Sequence, residues 1–250
     1  MVCTGSDGVQ HTATAESLLG KLRRSADAHQ SRDDHSRDPT CKDDRVTRAL
    51  TKSEIVSSDQ EPLILVDADD REIGFLDKSA CHDGSGVLHR AFSLFIFNPR
   101  GELLLQRRAS GKRLWPSFWS NSCCSHPRRG EIMSDAVQRR MEQELGLRTP
   151  VRFVYKFEYQ AQFLDLGTEH ELCWVYVGQT ADQPVINTTE IGEWRWISPA
   201  ALDAELEASS ADFTPWFRME WQQLRGRISK MLGQMAAVPQ GSKPTRDNRR

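Results

Sequence analysis

No stretch of the sequence is apolar for anything near the roughly 20 residues that a bilayer-crossing helix needs, and its first residues lack the apolar core of a secretory signal. A membrane span is not expected, and the chain is assigned to the cytoplasm. Neither sign of charge prevails: 33 basic and 35 acidic residues leave a formal net charge of −2, so nothing draws the whole surface toward nucleic acid or an anionic membrane. Any anion site must be local. A glycine fingerprint of the dinucleotide-binding kind is missing, which argues against a bound flavin. Six cysteines are too few to staple 250 residues, and Cys123 and Cys124 are neighbours, where an ordinary bridge would be strained. Free thiols in a reducing compartment are the expectation. Internal repeats are absent as well.

Residues 1–60 also lack a sustained apolar period; Ser31-Arg32-Asp33-Asp34-His35-Ser36-Arg37-Asp38 is typical. Such a segment cannot offset its ordering entropy by burial, so a disordered extension is expected. An organelle address there stays open, although its many acids fit a transit peptide poorly. Residues 233–250 read as a second polar tail, ending Asn248-Arg249-Arg250 without a peroxisomal tripeptide.

Between the tails, residues 61–232 alternate short apolar runs with turn signals and helical patterns, which predicts one α/β or α+β domain. Strands are expected at Leu63–Val66, Phe92–Phe97, Leu103–Leu105, Val151–Tyr159, Glu171–Val177 and Trp194–Ile197. Asn98-Pro99-Arg100-Gly101 should turn the second into the third as a hairpin. Val137, Met141 and Leu145 recur every four residues, predicting a helix capped by Ser134 and stopped by Gly146. Ser198-Pro199 and Thr214-Pro215 each pair an N-cap with proline at the first helical position. The pattern Trp216, Met219, Leu224, Ile228, Leu232 reads as a core-facing terminal helix.

Three clusters carry chemistry. Asn121-Ser122-Cys123-Cys124-Ser125-His126-Pro127 is polar and thiol-bearing. In Glu169-His170-Glu171, extended backbone turns both carboxylates to one face and the imidazole to the other. Two such carboxylates repel unless a cation or proton lies between them. His82, His89 and His126 fall in the same folded region, whereas His11, His29 and His35 fall in the expected extension. Three imidazoles with two carboxylates suit an ion of the Mn, Zn or Fe type, although spacing alone leaves them open to an ordinary structural role. The third cluster is a degenerate Nudix box, a strand-loop-helix motif whose carboxylates hold magnesium against a diphosphate. Ser125, Glu131, Arg139, Glu144 and Gly146 take its positions, but Arg140 and Gln143 stand where a hydrolase has glutamates. Their loss removes negative charge needed to bind magnesium and activate water.

These departures, together with Leu88-His89-Arg90-Ala91-Phe92-Ser93, Leu104-Leu105-Gln106-Arg107-Arg108, Trp115-Pro116, the thiol segment, Glu169-His170-Glu171 and Thr214-Pro215-Trp216, resemble type I isopentenyl diphosphate isomerase. Ser117 departs from a common glycine after Trp115-Pro116. The resemblance implies an α+β fold of the α/β/α Nudix kind, a mixed sheet packed between helices. It implies an enzyme interconverting isopentenyl and dimethylallyl diphosphates, supplying isoprenoid synthesis, by adding one proton to the alkene and removing another. The nearest rival is a Nudix-type diphosphate hydrolase; from another class, a metal- or diphosphate-binding module. By resemblance, Cys124 and Glu171 exchange the protons, Tyr159 assists, and Trp216 faces the developing positive charge. His82, His89, His126, Glu169 and Glu171 would hold a divalent ion (Mn2+, Zn2+ or Mg2+). Lys78, Arg108, Lys112 and Arg140 would meet the diphosphate, with a Mg2+ held by Glu144 and the Cys124 carbonyl. The expected partner is a small isoprenoid diphosphate, and the expected state a monomer or weak homodimer.

Overall fold

The computed structural model describes residues 53–236. The expected disorder of residues 1–52 and 237–250, with His11, His29 and His35, lies outside them. The chain runs β1 (Pro62–Val66), β2 (Glu72–Asp77), α1 (Lys78–Cys81), β3 (His89–Phe97), β4 (Leu103–Arg108), β5 (Trp119–Ser120), β6 (Cys123–Ser125), α2 (Met133–Leu145), β7 (Val151–Phe163), β8 (Gly167–Gln179), β9 (Ile191–Ile197), α3 (Pro199–Ser209), α4 (Pro215–Leu224) and α5 (Ile228–Ala236).

Strand β3 organises the sheet. One edge pairs in parallel with β8 along its whole length, from His89↔Glu171 to Phe97↔Gln179. Its other partners are β1 (Leu65↔His89), β6 (Phe92 to Leu94 against Ser125 to Cys123) and β4 (Phe97↔Leu103). The expected β3–β4 hairpin therefore closes at a single pair. Its turn forms, with Gly101 N–H donating to the Asn98 carbonyl, but β4 then leaves to pair with β9. Strand β7 lies antiparallel to β8 and places Tyr159 opposite Glu171.

Because side chains alternate along a strand, β3 presents two different faces. Phe92, Leu94 and Ile96 join Leu104, Cys123 and the α2 residues Ala136, Val137, Met141 and Leu145 in the main apolar cluster. Trp194 and Trp196 pack on the same cluster, as expected of a shared strand face. On the opposite face Phe95 stacks on Phe217 of α4, with ring centroids 5.9 Å apart. The sheet is thus covered by helices on both sides. Adjacent Cys123 and Cys124 look in opposite directions, one into apolar packing and one toward the polar face, and neither is bridged.

Helix α2 starts one residue before the expected cap: Ile132 takes that place, no side chain caps the end, and Ser134 sits inside the first turn. Gly146 ends the helix as expected, at φ 64° in the left-handed region, with Val185 packed so close that a Cβ would collide. Ser198 does cap α3, accepting from Ala201 N–H. Thr214 is the N-cap of α4 but spends its hydroxyl on Ser120 instead. The expected terminal helix is two helices, broken at 225–227, where Gly226 offers no side chain to pack.

Residues 53–60, assigned from sequence to the leading extension, form no helix or strand but are tied to the domain. The Val56 carbonyl accepts from Arg140, Ser57 Oγ from Lys78 Nζ, and the Glu54 carbonyl from Asn187. Residues 233–236, expected in the polar tail, close α5.

Candidate active site

Strand register gathers the site. Pairing His89 with Glu171, Ser93 with Cys124 and Tyr159 with Glu171 turns these side chains, and Glu169 and Cys173 two residues either side of Glu171, onto one face. His126 follows β6 two residues beyond Cys124 and faces the same way. His82 arrives differently. It ends α1, and its carbonyl accepts from Thr168 N–H at 2.9 Å, which ties it to the start of β8. Gly167 makes that approach possible, since a Cβ there would strike the His82 carbonyl. As expected, His170 points to the other side, where it meets Glu158.

The three imidazoles form a cluster with ring centroids 5.0 to 5.9 Å apart. His89 Nε2 lies 3.2 Å from His126 Nε2, and His126 Nε2 lies 3.2 Å from Glu171 Oε1. Burial, with the neighbouring His126, pushes the pKa of His89 down to about 4, so its ring is neutral near pH 7. Its Nδ1 faces the Val87 carbonyl at 2.7 Å and must donate there, which leaves a lone pair on Nε2. His126 is likewise pushed well down, chiefly by burial and then by Lys78. His82 Nε2 and Glu169 Oε2 meet as an ion-pair contact at 2.9 Å, yet neither atom has a hydrogen-bond partner of good geometry.

Inward-facing lone pairs and orphaned buried atoms are what a divalent cation would relieve. Donor atoms of His82, His89 and His126, and those of His89, Glu169 and Glu171, each fall within 4.8 Å of one another. The residues fit an ion. The two acids differ in state. Burial and the charge of Glu169 raise Glu171 to about 7, whereas the imidazoles, His82 foremost, outweigh burial at Glu169 and hold its pKa low. Tyr159 O–H donates to Glu171 Oε2 at 2.7 Å.

A cavity of about 260 Å3 opens beside this cluster. His82, His126, Glu169, Glu171, Tyr159, Cys124 and Trp216 line it, and Lys78, Arg108, Lys112 and Arg140 line it too. His89 lies behind His126, fully buried, and Glu144 lies beneath Arg140. Cys124 Sγ donates to Asn121 Oδ1 at 2.8 Å, and burial pushes its thiol pKa far up, so the thiol keeps its proton. Trp216 is anchored by Nε1–H donating to Ser120 Oγ at 3.1 Å, with the Arg108 guanidinium 5.3 Å from its ring centre.

The expected cationic residues gather, but not as free charges. Arg140 is buried, donating twice to Glu144 Oε1 and once to the Val56 carbonyl. Lys112 bonds Glu190, whose carboxylate also lies 3.5 Å from Arg140. Burial and the charge of Lys112 pull the Lys78 pKa down. Arg108 donates to the Leu114 and Trp115 carbonyls. Glu190 was missed in the sequence, where it reads as one acid among many in a turn. Asn121 and Ser93, which neighbour Cys124, stand in the sequence only as members of longer motifs, and Ser120, which anchors Trp216, is not singled out there. In the Nudix box, Arg139 grips Glu131 with two hydrogen bonds and lowers its pKa.

The NUDIX domain family matches residues 87–217. Among curated proteins, the chain is 42% identical over 163 residues to Isopentenyl-diphosphate Delta-isomerase 1 of Photorhabdus laumondii, spanning 64% of this chain and 93% of that protein. It is 38% identical over 186 residues to Isopentenyl-diphosphate Delta-isomerase of Frankia alni, spanning 74% of this chain and 89% of that one. A solved structure from Deinococcus radiodurans, DR0079, superposes with a TM-score of 0.51 at 21% identity over 70% of this chain and 98% of its own; that likeness concerns the fold.

Proposed function

The chain belongs to the NUDIX domain family, within its isopentenyl-diphosphate Delta-isomerases, and on that premise we propose which of its residues do the chemistry. It is an isomerase interconverting isopentenyl and dimethylallyl diphosphates. The reaction moves a double bond by giving the alkene one proton and taking another, so it needs two proton-exchanging groups around a small cavity. Cys124 and Glu171 are those groups, and the observation that carries the assignment is their sharing one cavity with Tyr159 hydrogen-bonded to Glu171. Burial keeps the Cys124 thiol protonated, ready to give a proton and to regain it in the reverse direction. Tyr159 fixes the Glu171 carboxyl and offers a path for its proton. Trp216 lends its ring face to the developing positive charge, worth on the order of 1–2 kcal/mol when desolvated.

His82, His89, His126, Glu169 and Glu171 would hold a divalent ion, Mn2+, Zn2+ or Mg2+. Such an ion supplies positive charge that lowers the proton affinity of Glu171 and fixes its orientation. Lys78, Arg108 and Lys112 bind the diphosphate, Lys112 exchanging Glu190 for a phosphate oxygen. Arg140 supports them from below while orienting Glu144, which with the Cys124 carbonyl would hold a diphosphate-bound Mg2+. The catalytic domain of 61–232 takes in the tied residues 53–60 and the helical residues 233–236 as well, the enzyme works in the cytoplasm, and it acts as a monomer or weak homodimer.

Incubation with isopentenyl diphosphate and a divalent ion in deuterated water tests the proposal. Dimethylallyl diphosphate carrying solvent deuterium is expected, and its loss in Cys124→Ala and Glu171→Gln. Release of inorganic phosphate without isomer would instead mark a hydrolase.

A further inference from the structure

Behind the Cys124 wall of the cavity lies a buried acid that the proposed chemistry does not use. Glu220 of α4 is fully buried, and its Oε2 has no hydrogen-bond partner. Its Oε1 accepts from the Cys173 thiol at 3.6 Å. Cys173 Sγ also lies 3.4 Å from Ser93 Oγ, and Ser93 Oγ lies 3.5 Å from Cys124 Sγ. Burial raises the carboxyl to about 8 against the pull of the nearby Ser93 hydroxyl, and the charge of Glu171 adds to the rise. An apolar side chain would fill the place at less cost to the fold.

The hydrogen-bond inventory gives this acid a use. Cys124 spends its proton on Asn121, so its sulfur can take a donor. Ser93 has one hydroxyl proton and two lone pairs. Whenever a neighbour donates to Ser93 Oγ, the Ser93 proton is free to turn elsewhere, and Cys124 Sγ is within reach. We propose that Glu220 is a positioning residue for Cys124: in its acid form it donates to the Cys173 sulfur, which leaves the Cys173 thiol free to donate to Ser93, turns the Ser93 proton onto the Cys124 sulfur and steadies the thiolate left when Cys124 gives up its proton. The inference rests on Cys124 being one of the two proton-exchanging groups. Glu220 itself does not line the cavity.

Turnover of isopentenyl diphosphate and thermal midpoint, measured side by side on full-length Glu220→Gln, Glu220→Leu, Ser93→Ala and Cys124→Ala, test it. Glutamine keeps a donor, so Glu220→Gln should hold kcat within about threefold of the parent, a difference smaller than one hydrogen bond to a charged group. Glu220→Leu and Ser93→Ala should each lose roughly ten- to hundredfold in kcat, the scale of such a bond. KM should not move, and the midpoint of Glu220→Leu should stay level or rise. Three results would overturn the inference: parental kcat in Glu220→Leu, equal losses in the Gln and Leu variants, or a fall in kcat that tracks the midpoint and KM. If Glu220→Leu does not fold, Ser93→Ala decides, parental kcat there being the overturning result. Cys124→Ala separates the two layers. Parental turnover in that variant would remove both assignments, whereas its inactivity beside a normal Glu220→Leu would remove this one alone.

Discussion

The two faces of strands β3 and β8 share one backbone and are both buried, yet at the cavity end their contents are opposite. Toward α2 stand Phe92, Leu94, Ile96 and Tyr176, locked into apolar packing with Val137 and Met141. Toward α4 and the cavity stand His89, Ser93, Glu171 and Cys173, crowded with donors and acceptors that satisfy one another only in part. One side gains free energy by leaving water; the other gives some back. A sheet covered on both sides can carry this division, because alternate residues answer to different layers.

Substitutions should divide along the same line. The largest effect is expected from Glu171→Gln, with kcat down roughly 100- to 10,000-fold, the span of general acid–base catalysis, and little change in thermal midpoint. A midpoint that fell with the rate would make Glu171 a support for the fold. Met141→Ala should do the reverse. Deleting that fully buried side chain should cost about 2–5 kcal/mol in urea unfolding with kcat and KM at parental values below the transition. Loss of turnover in the folded variant would break the proposed separation. Stripping divalent ions with a chelator reaches the polar face alone: turnover should vanish, and stability should drop by about 3 kcal/mol if the ion had been present at roughly a hundredfold its Kd. Calorimetry with and without the chelator reads the second effect, and an unchanged midpoint would mean that the imidazole cluster stands without an ion. The smallest change concerns neither face. Ser117 occupies the left-handed region at φ 63°, so Ser117→Gly should add up to about 1 kcal/mol at constant KM.

Much of this was legible from the residues. Apolar, β-branched and aromatic runs marked the longer strands, the four-residue period marked α2, and the split of Glu169 and Glu171 from His170 followed from extended backbone. Short elements were not legible: β2, α1, β5 and β6 are held by their neighbours and carry little pattern of their own. The β3–β4 hairpin was overdrawn because turn chemistry speaks for the turn alone, while the ladder goes to whichever strands compete best for each edge. In the site, distinctive residue types were readable, and their resemblance to a known family gave them roles. Glu190 and Glu220 were not, since an acid becomes unusual only once burial is known. Nor could sequence reveal that Arg140 and Lys112 already have acidic partners.

The parallel alignment of His89 with Glu171 also bears on how the protein comes into being. The imidazole and carboxylate that would share one ion are separated by nearly half of the domain, and between their emergence from a ribosome β4, β5, β6, α2 and β7 must all be made. The complete ion site is therefore a late product of folding, assembled after slow long-range pairing has brought β8 to β3. Until then the nascent chain would expose an unpaired strand edge, which makes the interval before β8 appears its period of greatest exposure to aggregation.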